Sequence, residues 1–97
     1  MKQVATFQIQ DIFKITGRGI VFGGLILGGE FMIEDLIKFD FKGQTLERKI
    51  KGLDAGMRIY EGNPKAGIMI ECLNQKEMDD LRNWNPNLTI GKIYSNE

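Results

Sequence analysis

The sequence contains no histidine and only one cysteine, Cys72. Ser-His and Cys-His nucleophilic chemistry is therefore excluded within this chain, together with histidine-containing zinc sites and any CxxC pair. An intramolecular disulfide is impossible, which fits a reducing compartment. Proline occurs twice and tryptophan once. No apolar run approaches the ~20 residues that a membrane-spanning helix needs. Met1-Lys2-Gln3-Val4-Ala5-Thr6 has no apolar leader core. These absences predict a soluble, cytoplasmic protein with no membrane contact. Net charge is also missing, because 13 basic residues balance 13 acidic ones. That removes long-range attraction to nucleic acid or anionic membrane, although not a local basic patch.

What is present is a 42% hydrophobic composition and 12 glycines in 97 residues. This predicts one folded domain spanning residues 1–97, with no linker, repeat or low-complexity tract. Phe7, Ile9, Phe13 and Ile15 share one parity, and Gln8, Gln10 and Lys14 share the other, as in a half-buried strand. Asp11 breaks the alternation and Ile12 takes the opposite face, which predicts a bulge. Gly17-Arg18-Gly19 reads as a hairpin turn needing positive φ.

Ile20 to Leu27 reads as a central strand kinked at Gly23-Gly24. Leu36 to Phe41 is the next strand, followed by a turn at Lys42-Gly43-Gln44 and a strand with Leu46 and Ile50 facing inward. Met57 to Tyr60 could form a short strand. Ile68, Ile70 and Cys72 alternate again. Gln75 to Asn83 is the helix candidate, with Met78 and Leu81 on one face, and it is too short to be stable without packing. Asn85-Pro86-Asn87 ends it, and Leu88 to Tyr94 reads as the last strand. The pattern predicts an all-β fold: a small, closed or partly open, Greek-key-like barrel of about six strands with one short helical turn near the C-terminus.

Asp11-Ile12-Phe13-Lys14-Ile15-Thr16-Gly17-Arg18-Gly19-Ile20-Val21 resembles the D-V-F-x-I-x-G-R-G-x-V segment of elongation factor Tu domain 2, the second domain of translational GTPases. Gly24 and Gly29 fall at the spacing of that family's next two glycines. Asp35 and Ile37 match its V-G-D/E-x-V segment, with Glu34 standing where the family usually has glycine. Gly52, Gly67 and Gly91 match three later glycines. The chain departs from the family at Asp54 to Met57, at Glu71-Cys72, and in an insertion at residues 83–87. The resemblance implies a translation-factor barrel. In that family the barrel contacts the GTP-binding domain and, in tRNA carriers, the aminoacyl end of tRNA. The loops that carry the tRNA contacts diverge here, so no such residue transfers.

Nucleotide chemistry has no motif to rest on. Gly91-Lys92-Ile93 lacks the upstream glycine and following Ser/Thr of a P-loop, and Gly17-x-Gly19-x-x-Phe22 lacks the third glycine of a dinucleotide fingerprint. No GTP binding, cofactor, metal site or catalytic residue is expected. Glu34 and Asp35 point to opposite faces of an extended chain, which does not suit paired-carboxylate catalysis. Asp79-Asp80 reads as a solvated helical turn.

The candidate binding residues are Lys38, Lys42, Arg48, Lys49 and Lys51 on a locally basic hairpin, together with Tyr60 and Trp84. The basic hairpin reads either as a solvated outer face or as a phosphate-contacting surface. Tyr60 and Trp84 read as interface anchors or as caps on the barrel ends. Arg18 sits at a hairpin tip, where pairing with a carboxylate is the simplest role, and Cys72 reads as a small buried hydrophobe. The function expected is a non-catalytic, stand-alone binding module contacting a protein. The alternatives are an RNA- or ribosome-contacting accessory protein acting through hairpin 38–51, and an inhibitor or regulator unrelated to translation.

Overall fold

Alternation of buried Phe7 and Ile9 with half-exposed Gln8 and Gln10 makes β1 (Gln3–Ile15) a strand with one face in a core. The computed structural model describes residues 2–15, 17, 19–53 and 65–96. Among these, β1 is followed by β2 (Gly19–Gly29), β3 (Leu36–Phe41), β4 (Gln44–Leu53), β5 (Lys65–Ile70), α1 (Gln75–Arg82) and β6 (Ile90–Tyr94). The strands close into an antiparallel barrel in the order β1-β2-β5-β4-β3-β6, so the fold is the all-β barrel expected. The strand closing the ring is β6, which pairs with β1 on one side and β3 on the other.

Each strand contributes alternate side chains to one cluster that includes Phe7, Ile9, Phe22, Ile37, Ile50 and Ile68, all 0% exposed. Fully burying one such side chain contributes about 1.5–3 kcal/mol. Phe22 meets Phe39 edge-on with centroids 5.1 Å apart, the arrangement the ring quadrupoles favour.

The bulge lies at Gln10, where the β1–β2 register jumps between Ile9 and Asp11. An extra residue reverses the side-chain parity downstream. Ile12 therefore packs against the core, and Phe13 turns outward with 50% of its surface exposed. This corrects the simple alternation, which puts Phe13 on the same face as Phe7 and Ile9. Phe13 is not idle, because its ring covers Gly23: a Cβ added there would meet Phe13 Cε2 at 3.0 Å. The neighbouring glycine is needed for a stronger reason. A Cβ on Gly24 would lie 1.9 Å from the Gln8 carbonyl oxygen, so β1 and β2 approach where only a hydrogen fits.

The turns follow their residue types. Lys42 (φ 49) and Gly43 (φ 83) occupy the two left-handed positions of a tight hairpin. Gly17 and Gly19 have φ of 80 and 117, as a Gly-x-Gly hairpin tip requires. The final strand starts at Ile90 rather than Leu88, because Asn87 and Leu88 both adopt positive φ in a turn that Thr89 N–H closes on the Pro86 carbonyl at 2.8 Å.

Helix α1 begins at Asn74, whose side chain accepts the Glu77 N–H at 2.9 Å. Its Leu81 is fully buried and Met78 packs beside the core, which supplies the tertiary support so short a helix needs. None of the helices among the described residues is long and apolar enough to cross a membrane.

Candidate functional site

The β3–β4 hairpin brings the sequence's basic cluster onto one side of the barrel, but its charges are largely occupied. Lys38 Nζ lies 3.7 Å from Glu47, Lys49 Nζ 3.3 Å from Glu34 and Lys51 Nζ 3.2 Å from Glu71. Lys42, at the hairpin tip, places its Nζ 5.3 Å from the Phe41 ring centroid. These pairs are exposed, so each is worth roughly 0–1 kcal/mol. Their consequence is a patchwork of alternating sign rather than a continuous basic stripe.

Arg48 differs from the lysines. It shares parity with Leu46 and Ile50 and reaches α1, where its guanidinium grips the Glu77 carboxylate through Nε (3.0 Å to Oε1) and Nη2. The two side chains retain only 14% and 12% of their surface. Glu77 Oε2 also accepts the Leu73 N–H at 2.6 Å. Burial alone would raise the Glu77 pKa, but the hydrogen bonds from Arg48 and Leu73 outweigh it and hold the carboxyl below its ordinary 4.5. Beside this pair, burial pushes the Cys72 thiol up to about 11, the Glu77 carboxylate adds to the rise, and Arg48 partly offsets it. Arg48 is therefore a structural clamp between barrel and helix.

Trp84 follows α1 and stacks on Phe39 with centroids 6.0 Å apart, while Phe41 meets it edge-on at 5.1 Å. It packs against the core and closes that end of the barrel. Asp11 is exposed on β1 opposite Gly23. Tyr60, Arg18 and the Met57–Tyr60 segment lie outside the described residues.

The carboxylate pairs take separate partners. Asp35 is buried, with its oxygens accepting the Met32 and Asn96 N–H groups at 3.0 and 3.3 Å, whereas Glu34 turns outward to Lys49. Asp79 binds Lys14 and Gln75, whose hydrogen bonds lower its pKa, and Asp80 binds Lys76. Among the described residues no group of three or more Cys, Asp or Glu side chains could hold a metal ion.

Sequence reasoning passed over the outer face of β6. Lys92 is the direct register partner of Lys38, and Tyr94 of Leu36. Lys38 Nζ sits 4.7 Å from the Tyr94 ring centroid. A cleft of about 230 Å³ opens beside them, reached by Ile90 and Thr45. Lys38 and Lys92 are far apart in the chain, so only the closure of the barrel reveals them as neighbours. No protein-family model matches this chain, and no curated protein matches it.

Proposed function

We propose that this chain is a non-catalytic binding module of the translation-factor barrel type, acting in the cytoplasm on a protein partner. The observation that carries this reading is the pairing of Lys38, Arg48, Lys49 and Lys51 with carboxylates. Binding RNA would require several cations free to neutralise successive phosphates. A hairpin whose charges are already matched suits a protein surface better. Leu27, Met32, Ile33 and Leu53 are large, exposed apolar side chains near the β2–β3 loop and the end of β4, and they add contact area of the same kind. The kinship to translation-factor barrels is supported by Glu34, whose φ of 85 is glycine-like at the position where that family carries glycine. No cofactor, nucleotide or membrane is part of this reading.

The test is affinity capture from native lysate, followed by nuclease and a wash from low to moderate salt. A protein band should survive both treatments. It should also survive the charge reversals Lys42→Glu, Lys49→Glu and Lys51→Glu. Arg48 is left intact because it clamps α1. An RNA contact would instead weaken with a logarithmic salt slope of about −0.7 per phosphate. Release of the whole complex by nuclease, together with loss of capture in the reversal set, would reject the reading.

A further inference from the structure

A tight turn at residues 86–89 leads into β6. The Thr89 N–H closes it on the Pro86 carbonyl at 2.8 Å, and Asn87 and Leu88 hold φ of 46 and 63. Positive φ at both central residues is the type I′ pattern, which favours Asn followed by Gly. Asn87 suits the first place. Leu88 stands in the glycine place, where a bulky side chain is strained. It gains little burial in return, being 54% exposed.

The chain before this turn is anchored to its own barrel. Pro86 is buried, Trp84 stacks on Phe39, and the Arg48–Glu77 pair holds α1. The chain after it is one separable element. β6 pairs with β1 at Gln3 to Gln8 and with β3 at Leu36 to Lys38, and it inserts Ile93, 0% exposed, into the core. Past β6, the Ser95 N–H donates to the Lys2 carbonyl at 2.8 Å and the Asn96 N–H to the Asp35 carboxylate at 3.3 Å. None of these contacts depends on which copy of the chain supplies β6.

We propose that this chain exchanges β6 with a second copy of itself, with residues 87–89 as the hinge. Opening the hinge turns Asn87 and Leu88 to extended backbone and releases the strain at Leu88. The strand then runs out to fill the same place in the other barrel. Its ladders, its core residue and its tail contacts are all recovered there. Hinge strain released in two copies is therefore set against the cost of association. Leu88 and Ile90, 54% and 41% exposed in the closed form, lie at the crossing of the two chains and gain burial in the dimer. A net charge of zero imposes no long-range repulsion between copies. This goes beyond the protein-partner reading and does not rest on it.

Exchange requires β6 to leave its barrel, so the test unfolds the whole chain in denaturant and refolds it at micromolar and at millimolar concentration. Light scattering after size exclusion should show a dimer that grows with refolding concentration. Leu88→Gly fits the left-handed backbone and should raise the dimer's dissociation constant by about tenfold for each of its two hinges. Leu88→Ala keeps the strain and should dimerise more than Leu88→Gly. Thr6 and Lys92 face each other across the β1–β6 ladder, so a cross-link between them reports whose β6 fills the barrel. Chains carrying Thr6→Cys and chains carrying Lys92→Cys, both with Cys72→Ala, are refolded together and oxidised. Disulfide-linked dimers should appear in the mixture and be absent when either chain is oxidised alone. A monomer at every refolding concentration, a dimer that does not cross-link in the mixture, or a Leu88→Gly dimer as tight as wild type would overturn the proposal.

Discussion

Removing the Glu77 carboxylate tests the clamp between barrel and helix most directly. Glu77 accepts hydrogen bonds from Arg48 and from the Leu73 N–H, and both members of the ion pair are mostly buried. Truncating one member of a fully buried pair costs about 3–5 kcal/mol, because the other charge is left without a partner. The remaining exposure, 12–14%, lets water reach Arg48 and places the expectation near the low end. Glu77→Ala should therefore cost about 3 kcal/mol, a large part of the roughly 5–15 kcal/mol that stabilises a small domain. Glu77→Gln keeps an acceptor for Leu73 or Arg48 and should cost about half as much.

Urea unfolding followed by Trp84 fluorescence measures both, since Trp84 packs at the end of the barrel. With a urea slope of about 1.5–2 kcal/mol/M, the Glu77→Ala midpoint should drop by about 1.5–2 M. The pairing of Arg48→Met with Glu77→Leu should recover much of the loss, since an apolar pair of similar size leaves no stranded charge. Acid gives an independent readout. The folded Glu77 pKa lies below its ordinary 4.5, so the stabilisation is present above that value and disappears as pH falls through the folded pKa. Glu77→Gln should lack this part of the acid transition. A midpoint for Glu77→Ala within about 0.5 kcal/mol of wild type, the ordinary range for surface changes, would refute the clamp.

Gly24→Ala should be strongly damaging, because the new Cβ would meet the Gln8 carbonyl oxygen at 1.9 Å. A loss of at least about 2 kcal/mol in chemical denaturation is expected, against under about 1 kcal/mol for Gly52→Ala, where the site is open. Cys72 should be protonated and slow toward thiol reagents at pH 8. Its folded pKa of about 11 exceeds the ordinary 9.0, so its share of stability is complete below pH 9 and is lost as pH rises through 11. Cys72→Ala should remove that alkaline loss, and an unchanged alkaline profile would reject it.

Local chemistry made much of the barrel legible. Lys42-Gly43 forms the turn within the expected Lys42-Gly43-Gln44, Leu36 to Phe41 is a strand with the bounds expected, and the helix expected from Gln75 to Asn83 runs to Arg82 with Asn83 as its C-cap. The bulge was also readable from Asp11 and Ile12, but its effect on Phe13 was not. Which residue is extra depends on how β1 pairs with β2, and that decides the parity of everything downstream. Leu88 escaped because its apolar character fits a strand pattern as well as it fits a strained turn. The basic hairpin was visible as a run of lysines and arginine, while its neutralisation was not. Glu34, Glu71 and Glu77 reach it from other elements. The facing of Lys38 and Lys92 is likewise a product of ring closure.

That closure also bears on biosynthesis. Because β6 is the staple between β1 and β3, a nascent chain emerging from the ribosome presents two unpaired strand edges until residues 90–94 have cleared the exit tunnel. Such edges template association with other chains. The interval before the last strand docks is thus when this protein is most exposed to aggregation, and a chaperone that shields β1 and β3 would act then.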